Sequence, residues 1–161
     1  MKQSKRKYER PKRPWDKQRI EKEREIMKTF GLKRKNEIWK SEALLRKYRR
    51  LARQLAAKKD KEKEKILLGK LNKLGLLPEN AALDDVLSLT LQNILERRLQ
   101  TILQKKGLVN SPKQARQFIV HGHVKIGKRK IAYPSYFVTK DDEGMIEVTV
   151  TPQKKVSTSE G

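Results

Sequence analysis

Lysine and arginine crowd both ends of this chain and leave a nearly neutral, leucine-rich centre. Residues 1–65 hold 26 basic and 10 acidic side chains, residues 66–96 hold 2 and 4, and residues 97–161 hold 13 and 5. The net charge of +22 is thus divided into regions of +16, −2 and +8. Hydrophobic residues make up only 35% of the chain, which limits it to modest cores. The pattern predicts two basic binding surfaces, a packing segment between them and a polyanionic partner.

Several classes of protein are excluded by what the sequence lacks. It contains no cysteine, which excludes disulfides, a catalytic thiolate and a cysteine zinc site. Its longest run without Lys, Arg, Asp or Glu is the ten residues 86–95, half of what a membrane-spanning helix needs. The basic N-terminus continues into further charge, unlike a secretory signal. We expect a soluble protein that stays where it is made, with no membrane partner, no metal and no cofactor.

The first half of the chain predicts a basic arm and a helical domain. Residues 1–15 are rich in Lys, Arg and Pro, and we expect them to fold only on a polyanion. The helical domain and its connection span 16–93. Helices are predicted over 16–30, with Asp16 as the N-cap, over 36–57, and through Leu67 to a stop at Gly75. The mixed charges at 58–65 are interpreted as a solvated helix face or a linker. The acidic pair Asp84 and Asp85 is interpreted as part of a connection.

Residues 94–150 predict a separate module, followed by a tail at 151–161. Ile94, Leu95, Leu99, Ile102 and Leu103 indicate one helix face that ends at Gly107. Ser111 at the N-cap, Pro112 at the first position and Gln114 at the third form a capping-box pattern for a second helix, which ends at Gly122. Lys113, Arg116, Gln117 and Val120 share its exposed face.

A hairpin is predicted after the second helix. Residues 123–126 and 129–132 flank Gly127 and Lys128, and glycine at the first central position suits a type II′ turn. Further strands are predicted at 136–139 and 145–150, with a turn at 141–144 between them. The fold class is therefore α+β, in which two short helices pack on a small antiparallel sheet with one cationic face.

That face is a candidate nucleic-acid surface. From residue 97 to residue 140 the chain has eleven Lys or Arg and no Asp or Glu. Such side chains match the spacing of successive phosphates, and RNA duplexes are recognised mainly through backbone shape. His121 and His123 are interpreted as hydrogen-bonding groups, since no third metal ligand is near them in sequence. Trp39 is expected to pack in the helical domain, whereas Trp15 is open to either packing or base stacking.

The C-terminal residues resemble the RNA-binding module of the ribosomal protein S four family. The resemblance lies in residues 96–101 (ERRLQT), 106–108 (KGL), 111–116 (SPKQAR), 119–124 (IVHGHV) and 134–136 (PSY). Residues 8–15 (YERPKRPW), 48–50 (YRR), 69–71 (GKL) and 87–90 (LSLT) are similar to the archaeal form of the small-subunit protein itself. The hairpin tip departs from the family, in which Asn-Gly is common, and the cysteine zinc site of some bacterial members cannot exist here.

The resemblance implies a cytoplasmic constituent of the small ribosomal subunit, without enzymatic activity, that binds small-subunit rRNA at a multi-helix junction. It further implies a role in early assembly and decoding accuracy, contact with ribosomal protein S five near the point where messenger RNA enters, and no DNA partner. The alternative is a free-standing RNA chaperone or a modification accessory protein. The predicted RNA-binding residues are Arg97, Arg98, Lys113, Arg116, Gln117, His121, His123, Lys125, Lys128, Arg129, Lys130, Lys5, Arg6, Lys7, Arg10, Lys12, Arg13, Arg49 and Arg50.

Overall fold

A computed structural model describes residues 8–149 as an α+β protein. The predictions for Lys5, Arg6, Lys7, Val150 and the tail at 151–161 concern residues outside this range. The elements within it are α1 (Lys17–Thr29), α2 (Lys35–Lys58), α3 (Lys61–Lys73), α4 (Leu83–Ser88), α5 (Leu91–Glu96), α6 (Leu99–Lys105), α7 (Pro112–Val120), β1 (Val124–Ile126), β2 (Arg129–Lys130), α8 (Lys140–Glu143) and β3 (Ile146–Val148).

The helices of the first half begin and end where local signals predict. The Asp16 side chain caps α1 by accepting a hydrogen bond from the Arg19 N–H at 3.4 Å. Gly31 and Gly75 both adopt positive φ, as required of a residue that turns the chain out of a helix. The mixed charge run contributes the exposed first turns of α3. The predictions for α1, α2 and α3 are confirmed.

The core of the first half forms where α2 packs against α3, α4 and α5. Its apolar side chains come from α2 at helical spacing and from the leucine-rich centre of the sequence. Asp84 and Asp85 were predicted to lie in a connection, and this was wrong, because they form the first turn of α4. There the Asp85 carboxylate accepts a hydrogen bond from the Ala82 N–H at 2.8 Å, which favours a helix start. The buried members are Leu45, Tyr48, Ala52, Leu67, Leu71, Leu77, Val86, Leu89 and Ile94.

The second half packs α6 and α7 against a three-stranded sheet of order β2-β1-β3. Both strand pairs are antiparallel, as predicted. Gly127 has φ +55°, and Lys128 is not among the residues of positive φ, which agrees with the predicted type II′ turn. The core of this unit consists of Leu99, Ile102, Leu103, Val109, Ala115, Ile119, Val124, Ile126, Ile131, Val138 and Ile146.

The single helix predicted from Ile94 to Leu103 was wrong, because the chain breaks between α5 and α6. Arg98 is extended, with φ −74° and ψ 141°, and serves as the N-cap of α6. The Leu99 N–H donates to the Tyr136 carbonyl at 2.8 Å, and the Val138 N–H donates to the Arg97 carbonyl at 3.0 Å. Backbone groups that pair with a distant segment cannot also continue a helix, so this non-local pairing ends α5.

Two further predictions for the C-terminal residues were wrong. The segment 136–139 is not a strand but makes one isolated bridge, between Phe137 and Arg98, because it meets only the short extended break described above. The segment 141–144 is not a plain turn: its first residues belong to the one-turn helix α8, which is capped by the Thr139 side chain accepting from the Asp142 N–H at 3.1 Å. The predicted strand at 145–150 is confirmed as β3 over Ile146–Val148.

The two halves are joined by a small third core and by one buried amide. Phe30, Leu32 and Ile38 pack against Leu95 in this core. The Gln100 side-chain amide donates hydrogen bonds to the carbonyl oxygens of Phe30, Gly31 and Pro112 at 3.2, 2.9 and 2.8 Å. Phe30 and Gly31 form the corner after α1. This corner is therefore hydrogen-bonded to the start of α6 and lies against the start of α7.

Candidate nucleic-acid interface

Helix α7 exposes a polar face next to the hairpin because its start is fixed by capping. The Ser111 hydroxyl accepts a hydrogen bond from the Gln114 N–H at 3.2 Å. The Gln114 side chain accepts from the Asn110 N–H at 3.0 Å, rather than from the Ser111 N–H as a strict capping box would have it. With Ala115 and Ile119 buried, Lys113 and Gln117 are exposed on the opposite side. Val120 is exposed as well, whereas Arg116, the fourth member of the predicted face, is half-buried.

The hairpin adds four cations beside this helix. Val124 and Ile126 are buried, and Lys125 between them is exposed on the outer face. Lys125 lies directly opposite Lys130 in the β1–β2 register and opposite Glu147 in the β1–β3 register. Two like charges directly across a strand pair destabilise a sheet unless a counter-ion is present. Lys128 and Arg129 are also exposed at the tip and on β2.

Five of the six Lys and Arg side chains of α7 and the hairpin have no carboxylate within 4 Å among the described residues. Each of the ion pairs found there involves other basic side chains. A dense group of exposed positive charges that form no ion pairs within the protein is suited to bind a polyanion. We call this set the module cations: Lys113, Lys125, Lys128, Arg129 and Lys130.

Arg98 and Arg116 form ion pairs with a carboxylate from the helical half. One Arg98 Nη donates to Glu37 Oε2 at 2.6 Å, and Arg116 Nη1 lies 3.1 Å from Glu37 Oε1. Only 3% of the Arg98 side chain is exposed, so its guanidinium is withdrawn from any surface contact. Burial alone would raise the pKa of Glu37, but the hydrogen bonds and charges of Arg116 and Arg98 outweigh it and lower that pKa.

Arg97 also makes contacts inside the protein. Its guanidinium donates to Glu143 Oε2 at 2.9 Å and to the Val138 carbonyl at 3.1 Å. The guanidinium lies so close to Gly75 that a Cβ there would be 2.8 Å from the Arg97 Cζ. Arg97 therefore connects the end of α3 to α8, and we interpret it as a structural residue.

A cleft of about 880 Å³ lies between α2 and the second half of the chain. Its α2 wall carries Lys40 and Lys47, and its other wall carries Arg116. Both lysines are exposed, and Glu37 is the one carboxylate among the described residues that line it. A basic cleft with a partly apolar wall can hold a phosphodiester backbone. The apolar part of the lining comes from Ala43, Leu44, Pro134 and Phe137.

The predicted residues of the first half are distributed over two regions. Arg10, Lys12 and Arg13 are exposed before α1. Arg50 is exposed on α2, whereas Arg49 is half-buried and donates to the Leu89 carbonyl at 2.6 Å. Arg49 thus ties α2 to the end of α4. Lys40 and Lys47, which line the cleft, were not predicted, because charges are frequent along α2 and their spacing alone does not show which face meets the cleft.

The two histidines and two tryptophans have different surroundings. The rings of His121 and His123 stack with centroids 6.3 Å apart, and His123 also meets Phe118 edge-on at 6.0 Å. No group of three potential metal ligands occurs among residues 8–149. Trp39 packs in the third core, as predicted. Its indole N–H also donates to Glu23 Oε1 at 2.9 Å. Trp15 is 90% exposed, which leaves its indole accessible to a partner.

A known domain family matches the second half of the chain. The S4 domain matches residues 97–143, which cover the break after α5, the α7 face, the hairpin and α8. In the part of the chain that the structure describes, no helix has the length and apolar character needed to cross a membrane.

Archaeal relatives match nearly the full chain. Proteins named small ribosomal subunit protein uS4 are 50% identical in Hyperthermus butylicus, over 93% of this chain and 87% of the relative, and 52% identical in Nanoarchaeum equitans, over 88% and 82%. The Saccharolobus islandicus protein of the same name is 48% identical over 96% of this chain and 87% of its own. This similarity extends well beyond the S4 domain into the helical half. The chain belongs to the small ribosomal subunit protein uS4 family.

Proposed function

We propose that this chain is a structural constituent of the small ribosomal subunit that binds small-subunit rRNA directly. The observation that carries this function is the set of module cations, which are exposed and have no carboxylate within 4 Å among the described residues. The names of the relatives support the ribosomal setting and favour it over a free-standing RNA chaperone or a modification accessory protein.

The proposed RNA surface has two parts. The module cations meet the backbone of one RNA helix, while Lys40 and Lys47 hold phosphates of a second strand in the cleft, beside the Arg116–Glu37 pair. Gln117, His121 and His123 add hydrogen bonds to the RNA. Contact at two places suits an rRNA junction, where helices diverge. The arm, with Arg10, Lys12 and Arg13, and the exposed Arg50 extend the contact beyond the module.

We assign a supporting role to three of the predicted contact residues. Arg97, Arg98 and Arg49 make hydrogen bonds within the protein, and their guanidinium groups hold its elements in place. We further propose that early binding supports assembly of the subunit body and decoding accuracy. On the strength of the family resemblance, the neighbours would be ribosomal protein S five and messenger RNA where it enters the subunit.

Sedimentation tests the ribosomal setting. In an extract of the source cells at moderate salt, we expect the protein to co-sediment with the small subunit in a sucrose gradient, because rRNA contacts hold it there. It should leave the small-subunit fraction when the salt is raised far enough to compete for phosphates. Recovery only in the soluble fractions at the top of the gradient at moderate salt would contradict the proposal.

The module cations can be tested with a charge-matched pair of variants. The double variant Lys125→Gln/Lys130→Gln should bind junction RNA more weakly and should lower the slope of log affinity against log salt by about 2, one for each lost phosphate contact. Lys61→Gln/Lys65→Gln removes the same charge from exposed positions on α3. Fluorescence anisotropy across a salt series measures both slopes, and equal losses for the two variants would show that the proposed surface is wrong.

A further inference from the structure

Glu37 is the one acidic side chain, among the described residues, that lines the basic cleft. Its carboxylate binds both Arg98 and Arg116, from the start of α6 and from α7. One of its oxygens also accepts from the Lys33 N–H at 3.3 Å, which fixes the carboxylate at the start of α2. A single anion on α2 therefore holds two cations of the other half of the protein.

A negative charge at this position opposes RNA binding in simple electrostatic terms. A carboxylate in a cleft that faces phosphates repels them, and it reduces the net positive charge of the surface. Glu37 is 14% exposed, so the repulsion is not fully screened by water. Its presence calls for a compensating benefit that the geometry can supply.

That benefit lies in the connection between the two halves. The third core and the Gln100 amide connect them at Phe30 and Gly31, and Arg97 connects the end of α3 to α8. Neither contact lies on the cleft side. Glu37 supplies the contact there, because its carboxylate binds both the nearly fully buried Arg98 and Arg116.

We propose that Glu37 is a positioning residue that fixes the orientation of α2 against the module, so that cations of both halves face one RNA junction together. This inference rests on the proposed function. It has an unusual consequence: removing the carboxylate makes the protein more positive, yet weakens binding to the RNA that needs both halves. Random-sequence RNA, which either half can bind separately, gains affinity from the same change.

Binding of two RNAs to the Glu37→Gln variant tests the proposal. We expect affinity for the rRNA junction to fall about tenfold or more, as when one member of a buried charge pair is lost, while affinity for random-sequence RNA of equal length stays the same or rises. Glu21→Gln changes the same charge at an exposed site on α1, and Glu23→Gln does so at a buried site whose ion pairs stay within α1 and α2. Neither control should lower the ratio of junction affinity to random-sequence affinity. Equal or tighter junction binding by Glu37→Gln would overturn the inference.

An orientation measurement separates positioning from a loss of charge. The sequence has no cysteine, so Arg53→Cys on α2 and Gln104→Cys on α6 carry spin labels at two exposed sites only. We expect the distance distribution between the labels to widen in Glu37→Gln and to stay narrow in Glu23→Gln. If Glu37→Gln does not fold, Glu37→Asp shortens the side chain and should widen the same distribution. An unchanged distribution in a folded variant would overturn the inference. Lack of junction preference in the unsubstituted protein would instead contradict the proposed function.

Discussion

Raising monovalent salt from 50 to 200 mM should weaken binding of this protein to junction RNA by roughly a thousandfold. Each phosphate that meets a Lys or Arg releases bound counter-ions, and about six such contacts produce a loss of this size. The module cations supply five candidates, and Lys40 and Lys47 in the cleft supply two more. A titration by fluorescence anisotropy at several salt concentrations measures the effect.

The slope of that titration carries more information than any single affinity. A steep slope in the unsubstituted protein that becomes shallower in Lys125→Gln/Lys130→Gln would locate part of the released charge on the hairpin. Binding that hardly changes with salt would mean that the contact is not made through phosphates. In that case the exposed cations would have no part in RNA binding, and the proposed surface would be wrong.

The substitution Gly31→Ala should be strongly destabilising. Gly31 has φ +59°, where a side chain costs about 1 kcal/mol, and a Cβ there would lie 2.6 Å from the Pro112 Cβ and 2.9 Å from the Pro112 carbonyl carbon. Relieving the overlap must separate the α1 corner from α7, at a further cost of about 1 to 3 kcal/mol. We expect the midpoint of thermal unfolding to fall by roughly 10 °C in a circular-dichroism melt.

Gly107→Ala is the matched control for that prediction. Gly107 has φ +68°, but no heavy atom lies within 4 Å of the position of its Cβ. An alanine there therefore has the same backbone strain as one at Gly31 but no collision. We expect the free energy of unfolding to fall by only about 1 kcal/mol. Similar losses of stability in the two variants would mean that the α1 corner can move away from Pro112 at little cost, and that this contact is not tight.

Features that depend on neighbours in sequence were predictable. The N-caps at Asp16 and Ser111 and the turn at Gly127 follow from local chemistry, and each is present. The break between α5 and α6 was not predictable in this way. Its residues have helical periodicity, and the break arises from backbone pairing with residues 136–138, about 40 positions later in the chain.

In the candidate site, too, local features were predictable and contacts between distant residues were not. Charge density alone identified the exposed cations of α7 and the hairpin, because solvated Lys and Arg need no specific partner in the protein. It did not identify which arginines have internal partners. Glu37 lies 61 residues before Arg98 and 79 residues before Arg116, and neither separation leaves a pattern in the sequence. Arg98 is therefore a residue type that often contacts RNA, but its position inside the protein gives it a structural role.

The attachment of Glu37 to Arg116 also has a consequence for synthesis of the chain. The carboxylate leaves the ribosome 79 residues ahead of its second partner, which corresponds to about 4 to 16 s of translation. Leu95 and Gln100, which complete the corner at Phe30 and Gly31, are also made late. The helical half therefore reaches its final packing only after most of the chain has been made, so a truncated product would lack the order that the complete protein has.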